Sequence, residues 1–194
     1  LTEYTDIISS EVERLSHLVD RMLGPTKPAR MEPVNINSVT EQVATLLSAE
    51  GRERCALVGI HQGGAWLAQH LQARLELPGE PGAVDIAFYR DDLARGGLQA
   101  EVRPTRMPID IEDRVIVLVD DILYTGRTIR AALNEIFDYG RPAAVRLAVL
   151  LDRPGRELPI QADIAAHYID LPPRQRVKLR GPDPLHLVIE EAHS

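Results

Sequence analysis

The sequence has little of what marks secreted, membrane or nucleic-acid-coating proteins. Its single cysteine, Cys55, excludes an internal disulfide and fits a reducing compartment. No apolar run approaches the length that crosses a bilayer, and no signal-peptide pattern opens the chain. The net charge of −7 does not favour strong nonspecific binding to nucleic acid, although it leaves room for a local basic face. We therefore expect a cytoplasmic globular protein of 194 residues, with one good core and an appendage.

One stretch, residues 115–128, organises the rest of the chain. The five apolar residues 115–119 predict a strand that is buried on both faces. Asp120 and Asp121 stand where that strand should end, so both are expected to face solvent. A short loop then leads to a predicted helix over 127–137. This order predicts a polar site at the carboxyl end of a parallel sheet, which is where open α/β sheets bind their ligands.

The chemistry of this stretch is specific. The loop 124–128 can present successive backbone N–H groups, hydroxyls and a helix N-terminus to a phosphate, and Gly126 allows the backbone to approach closely. Asp120 and Asp121 would repel a phosphate at contact distance, so they suit ribose hydroxyls or a hydrated Mg²⁺. The stretch predicts a ligand that carries a sugar diol next to a 5′-phosphate. The alternative interpretation is an Asp-Asp turn that caps an ordinary helix.

Predicted strands and helices alternate around this stretch. In chain order they are a helix from a capping box at 38–48, a strand at 55–60, a loop at 61–64, a helix at 65–75, strands at 84–89, 145–151 and 164–169, and short strands at 177–179 and 185–189. This alternation predicts a mostly parallel sheet with right-handed crossovers. The polar stretch 93–108 contains no predicted element and is either a catalytic lid or a solvated hairpin.

The N-terminal segment differs in pattern from the rest. Residues 1–23 predict a helix with an apolar stripe at heptad spacing, and the composition of 25–33 predicts a linker. A single helix cannot bury such a stripe alone, so it docks on its own domain or on a second copy in a homodimer or higher homo-oligomer.

The motif Val-Asp-Asp-Ile-Leu-Tyr-Thr-Gly-Arg-Thr-Ile-Arg-Ala-Ala, at 119–132, resembles the phosphoribosyl pyrophosphate (PRPP) signature of type I phosphoribosyltransferases. More narrowly it resembles the PyrR family, whose members are pyrimidine operon attenuation regulators and uracil phosphoribosyltransferases. Phe-Tyr-Arg-Asp-Asp at 88–92 and Arg-Glu-Leu-Pro-Ile at 156–160 extend the resemblance over about 38–189. It implies a type I phosphoribosyltransferase fold with a small C-terminal hood over residues 37–194, and it leaves 1–36 as the N-terminal helix and linker.

The resemblance also implies roles for individual residues. The 5′-phosphate would be held by Tyr124, Thr125, Gly126, Arg127 and Thr128, and the pyrophosphate by the loop of Ile60, His61, Gln62, Gly63 and Gly64. The catalytic group would be Asp120 and Asp121, which hold the ribose and indirectly Mg²⁺, together with Arg90 on the pyrophosphate. The lid would begin at Tyr89, Asp91 and Asp92, and the base would sit under the hood near Leu171, Val177 and Lys178.

The implied activity is Mg²⁺-dependent pyrimidine salvage, in which uracil and PRPP give UMP and pyrophosphate. One departure bears on turnover: Gln62 stands where the family typically has Thr, and Gly63 supplies no cation. A second function is a nucleotide-responsive regulator that binds pyrimidine leader RNA. Arg153 and Arg156 match family positions on the RNA-binding face, and the other interpretation of both is a solvated loop.

The N-terminal helix carries a separate resemblance. Leu-Thr-Glu-Tyr-Thr-Asp-Ile-Ile at its start and Met-Leu-Gly-Pro at its end resemble the second dimerisation helix of NtrB-type histidine kinases. The phospho-accepting His-Glu motif and the ATP-binding boxes of that family are absent from the sequence, so no kinase function transfers. The resemblance adds a third reading, a PRPP-binding module dimerised by its helix.

Overall fold

The structure is a computed structural model, and it describes residues 30–33, 36–86, 105–172 and 174–191. The elements in chain order are β1 Arg30–Pro33, α1 Asn37–Glu50, a 3-10 turn Arg52–Arg54, β2 Cys55–Ile60, α2 Gly63–Arg74, β3 Gly82–Val84, β4 Val115–Leu123, α3 Arg127–Tyr139, β5 Ala144–Asp152, β6 Ile164–Tyr168, β7 Gln175–Arg180 and β8 His186–Glu191. The predicted helix over 1–23 and residues 89–104, which are most of the predicted lid, lie outside the described residues.

Five parallel strands form the main sheet, in the order β3-β2-β4-β5-β6. The central strand β4 buries side chains on both faces. Val117 and Val119 pack in one core with α1 and α2, whereas Ile116 and Leu118 pack in a second core with α3. Burial on both faces is why this strand is an uninterrupted apolar run. The predicted α/β architecture with a mostly parallel sheet is confirmed.

A separate antiparallel sheet, in the order β1-β8-β7, forms the C-terminal hood. Val177 and Leu179 of β7 point into the same core as α1 and α2, so the hood is packed onto the main domain. Its first strand was not predicted. The composition of residues 25–33 indicated a linker, but Arg30 to Pro33 pair with Ile189 to His186. Four residues with no alternating pattern of their own become a strand because β8 supplies the partner backbone.

Strand β4 runs further than the apolar pattern predicted. It extends to Leu123 because β5 continues beside it, pairing Ile122 with Leu151 and Leu123 with Asp152. Asp120 therefore lies inside the strand and is only 4% exposed. The expectation that both aspartates face solvent is wrong for Asp120.

Further element boundaries differ from the predictions. Helix α2 begins at Gly63 rather than at Ala65, so Gly63 and Gly64 of the predicted loop belong to its first turn. Helix α1 begins at Asn37 after Ile36, with no side-chain cap, so the predicted capping box is wrong. The Thr40 hydroxyl instead donates to the Ile36 carbonyl at 2.8 Å, within the first turn. Strand β3 covers 82–84 and shares only Val84 with the strand predicted over 84–89. Within the described ranges, no helix is long and apolar enough to cross a membrane.

Candidate active site

The acidic pair lies at the carboxyl end of the central strand. Asp120 is buried and Asp121 is half-buried. The backbone N–H of Asp121 donates to Asp120 Oδ1 at 3.0 Å, and that of Ile122 donates to Asp121 Oδ1 at 3.1 Å. Each carboxylate thus accepts the N–H of the following residue, and this bond orients it near the carboxyl end of β4.

The loop 61–64 lies against this pair because β2 and β4 are neighbours, with Gly59 opposite Val119. A β-carbon on Gly64 would overlap the Val119 carbonyl, and one on Gly63 would overlap the Asp121 carboxylate. The peptide bond His61–Gln62 is cis, and the His61 N–H donates to the Val84 carbonyl at 2.9 Å. The predicted pyrophosphate loop and the predicted ribose site are therefore in direct contact.

The loop 124–128 leads from β4 into α3. Gly126 precedes the helix with a φ of +91°, a backbone conformation that side chains other than glycine rarely adopt. It provides no side-chain cap, and the first turn of α3 has no acidic residue. An uncapped helix N-terminus whose own first turn carries no carboxylate favours an anion. The Thr125 hydroxyl accepts from the Arg127 N–H at 3.3 Å, which folds the loop back towards the helix.

The segment 152–160, which follows β5, packs against this loop. The backbone N–H groups of Glu157 and Leu158 donate to the Thr125 carbonyl at 3.0 and 3.2 Å. Arg127 Nε donates to Glu157 Oε2 at 2.6 Å. Glu157 is a site residue that the sequence reasoning missed, although it lies in the Arg-Glu-Leu-Pro-Ile motif that supported the family resemblance.

Comparison with known proteins gives the family. The sequence model of the phosphoribosyl transferase domain matches residues 35–167, which include the acidic pair and both loops. The bifunctional protein PyrR of Nitrosococcus oceani is 52% identical over 163 residues, covering 81% of this chain and 92% of that protein. The chain belongs to the PyrR family. The bifunctional protein PyrR of Pseudomonas syringae pv. tomato is 47% identical over 145 residues, covering 75% of this chain and 85% of that protein.

Solved structures give the fold. The hypoxanthine phosphoribosyltransferase of Trypanosoma cruzi has a TM-score of 0.57 at 21% identity, covering 81% of this chain and 90% of that chain. A hypoxanthine phosphoribosyltransferase of Staphylococcus aureus has a TM-score of 0.55 at 21% identity, covering 77% of this chain and 80% of that chain. The predicted type I phosphoribosyltransferase fold is confirmed, and this PyrR-family chain is a phosphoribosyltransferase.

The donor set fits a Mg²⁺ ion that is held largely by its substrate. Among the described residues, no group of three or more His, Cys, Asp and Glu side chains converges on a metal position. Asp120 and Asp121 are the carboxylates at the strand end, and both already accept backbone N–H groups. Mg²⁺ commonly uses one or two protein carboxylates together with substrate phosphates and water. Asp120 and Asp121 would hold Mg²⁺ in that open way, with the substrate supplying further ligands.

The predicted base-binding residues do not share one surface. Val177 is buried in the core, whereas its neighbour Lys178 points outward from β7, and Leu171 is half-buried. Lys178 Nζ lies 2.7 Å from Glu190 Oε2, and Arg180 Nη2 lies 2.7 Å from Glu190 Oε1. These two hydrogen bonds, of which the one from Lys178 has the larger effect, hold the pKa of Glu190 below its usual value. Because its side chain is buried, Val177 can contact the base only through its backbone, and the base site stays a prediction.

The two arginines assigned to RNA lie beside the loop 124–128. The Arg153 guanidinium stacks 4.7 Å from the centre of the Tyr124 ring. The Arg156 side chain is 25% exposed and bonded to the protein backbone, so a solvated loop does not describe it. The RNA role of both stays a prediction. The predicted lid residues Tyr89, Arg90, Asp91 and Asp92 lie outside the described residues.

Proposed function

We propose that this chain transfers the phosphoribosyl group of PRPP to uracil and gives UMP and pyrophosphate. The observation that carries the proposal is the contact between Asp121 and Gly63, which joins a ribose site to a pyrophosphate loop. A helix N-terminus suited to a phosphate lies five residues beyond Asp121 in the sequence, at Gly126. PRPP is a ligand whose ribose, pyrophosphate and 5′-phosphate match these three parts in one molecule.

The residues divide the work by chemistry. Backbone N–H groups of the loop 124–128 and the start of α3 anchor the 5′-phosphate. Asp120 and Asp121 accept hydrogen bonds from the ribose hydroxyls and place negative charge near the ring carbon that becomes oxocarbenium-like. Mg²⁺, when bound, neutralises charge on the pyrophosphate and ribose oxygens. Since the reacting carbon needs geometry more than a protein base, positioning supplies most of the catalysis.

The uracil assignment rests on the family. The PyrR relatives at 47–52% identity support a pyrimidine base, whereas the solved hypoxanthine enzymes near 21% identity support the fold alone. Initial rates of nucleoside monophosphate formation, measured with PRPP, Mg²⁺ and each of uracil, hypoxanthine, guanine and orotate, test this choice. We expect UMP to form fastest. Faster formation of a purine nucleotide, or no nucleotide from any base at high enzyme concentration, contradicts the proposal.

A second function is favoured by an exposed basic row on the hood. Arg176, Lys178 and Arg180 alternate along β7 and all face outward, although Glu190 partly neutralises two of them. The relatives carry the name bifunctional, which is consistent with a second role. Regulation through pyrimidine leader RNA requires affinity for that RNA which falls steeply with salt. Equal affinity for a scrambled RNA of the same length removes this function.

A further inference from the structure

We propose that Arg156 is a positioning residue that holds the 5′-phosphate loop in shape. The inference rests on the proposed use of PRPP, and it assigns Arg156 to the catalytic domain's own site rather than to an RNA-binding face. The segment 152–160 that carries Arg156 is called the brace below. Several of its hydrogen bonds lead to residues 123–125, the last residue of β4 and the start of the phosphate loop.

The guanidinium of Arg156 lies at the centre of the brace. Nη1 donates to the carbonyls of Leu123 at 3.3 Å and Arg153 at 2.7 Å, and also to the carbonyl of Tyr124. Nε donates to the carbonyl of Ile160 at 3.0 Å, so the same group ties the two ends of the brace together. Nη2 is paired with the Asp152 carboxylate at the end of β5.

The Leu123 and Tyr124 carbonyls lie where β4 ends, and the Leu123 carbonyl also accepts the Arg153 N–H at 2.9 Å. Beyond Leu123 strand β4 ends, so the Tyr124 carbonyl has no strand beside it. A half-buried carbonyl without a donor is costly, and a planar guanidinium can serve several carbonyls in one plane. A lysine ammonium is a point charge on a flexible stem and cannot reproduce that geometry.

The rest of the brace shapes the loop by contact. The Glu157 and Leu158 N–H groups converge on the Thr125 carbonyl. A β-carbon on Gly126 would lie 3.3 Å from Leu158 Cβ and 3.4 Å from Ile160 Cβ. Leu158 and Ile160 of the brace therefore pack against the turn at Gly126, while Arg156 binds the carbonyls of the two residues at 123 and 124. Release of Arg156 takes this donor from the Tyr124 carbonyl and one of two donors from the Leu123 carbonyl, and it loosens the loop N–H groups that would face the phosphate.

This assignment separates Arg156 from Arg153 in the same motif. Arg153 stacks on the half-exposed Tyr124 ring at the rim of the loop. Arg156 turns inward to backbone carbonyls, and a group engaged there is poorly placed to contact RNA phosphates. Loss of Arg156 should therefore weaken PRPP binding before it weakens any RNA binding.

The test compares Arg156→Ala and Arg156→Lys with wild type. Isothermal titration gives the PRPP affinity, steady-state rates give KM for PRPP and kcat, and hydrogen exchange reports the amides of 124–128. We expect Kd and KM for PRPP to rise about tenfold or more in both variants, with a smaller change in kcat. Exchange at 124–128 should quicken, and millimolar guanidinium ion should partly restore PRPP use by Arg156→Ala but not by Arg156→Lys.

Arg114→Ala is the matched control. Its guanidinium also donates to a backbone carbonyl, that of Glu53 at 3.1 Å, but at the opposite ends of the strands. It should lower stability without changing PRPP affinity or exchange at 124–128. Asp152→Asn is the milder variant, since it removes one charged partner of Arg156 and keeps the side-chain size. It should shift PRPP affinity in the same direction by a smaller factor.

The outcomes are distinguishable. Wild type that neither binds PRPP nor forms UMP overturns the proposed function, whatever the variants do. If wild type uses PRPP, unchanged PRPP affinity and unchanged exchange at 124–128 in the Arg156 variants overturn the inference alone. Loss of leader-RNA binding with PRPP affinity intact overturns it too, and returns Arg156 to the RNA-binding face.

Discussion

Gly63 and Asp121 fit together with no space for a side chain on the glycine. A β-carbon on Gly63 would lie 2.5 Å from Asp121 Cγ and closer still to Oδ2. The loop 61–64 thus limits where the Asp121 carboxylate can lie. Since Gly63 follows β2 and Asp121 lies in the neighbouring β4, the fold itself aligns the proposed ribose site with the proposed pyrophosphate loop.

Substitution of Gly63 by alanine should displace the Asp121 carboxylate more than it disturbs the fold. The closest overlaps are with Asp121 Oδ2 and Cγ, which can rotate away, and the contact with Asp121 Cβ at 2.9 Å requires only a small further shift. We expect kcat/KM for PRPP to fall by about a hundredfold, the scale of a misplacement near 1 Å, with little change in melting temperature. Gly64→Ala is the contrast, because its β-carbon meets the backbone of Val119 and Asp120. It should cost about 1–3 kcal/mol of folding free energy through overpacking. Equal stability losses in both variants would contradict this division.

The two aspartates should separate in their effects on stability. Asp120 is 4% exposed and accepts the Asp121 N–H, so Asp120→Ala leaves a buried donor without a partner and should cost about 1–3 kcal/mol of unfolding free energy. Asp121→Asn keeps the side-chain shape at a half-buried position and should change unfolding free energy by less than about 1 kcal/mol, while PRPP turnover falls steeply. Chemical denaturation and initial rates check both. An Asp121→Asn enzyme with wild-type turnover would remove Asp121 from the ribose site.

The ion pairs of Glu190 make part of the hood's stability depend on pH. Hydrogen bonds from Lys178 and then Arg180 hold the pKa of Glu190 below its usual value near 4.5. A carboxyl whose folded pKa is depressed stabilises the fold above its unfolded pKa and loses that contribution as the pH falls through the folded pKa. Wild type should therefore exceed Glu190→Gln in stability at pH 7, by about 1 kcal/mol or less because the pairs are exposed, and the gap should close below about pH 4.5. Melting curves from pH 3 to 8 check this. A gap that stays constant over the range would show that the charge of Glu190 is not its source.

The role of the predicted N-terminal helix can be tested without damage to the hood. Since residues 30–33 form β1 and pair with β8, a deletion should stop at residue 29. If the apolar stripe of 1–23 drives association, the shortened protein should contain fewer chains per particle in solution, with PRPP turnover per chain retained. Sedimentation velocity gives the number of chains from the particle mass. An unchanged number of chains per particle would show that residues 1–29 do not hold the assembly together.

Local sequence pattern was enough for the framework of the fold. Residues 115–119 read as a doubly buried strand because both faces of β4 meet helices, and the following loop and helix followed from residue type. The pattern failed where a partner elsewhere in the chain decides the outcome. Strand β1 exists through β8, and β4 reaches Leu123 through β5.

The same limit applies to the site. The residue types at Asp120, Asp121 and Gly126 pointed to phosphate and ribose chemistry, and their proximity follows from one continuous stretch of chain. The burial of Asp120 depends on the close approach of Gly64 from the first turn of α2. Most partners of Arg156 are backbone carbonyls, and the residue types in the sequence do not predict such partners.

Calorimetric titration of PRPP with Mg²⁺ into wild type, Asp121→Asn and Arg54→Ala tests the central claim most directly. Arg54 is exposed at the opposite end of the sheet from the acidic pair and serves as the control. The account predicts one PRPP site per chain in wild type and Arg54→Ala, and binding weakened about tenfold or more by Asp121→Asn, on the scale of a lost charge-assisted hydrogen bond. Equal PRPP affinity in all three proteins, or no binding to wild type, would contradict it.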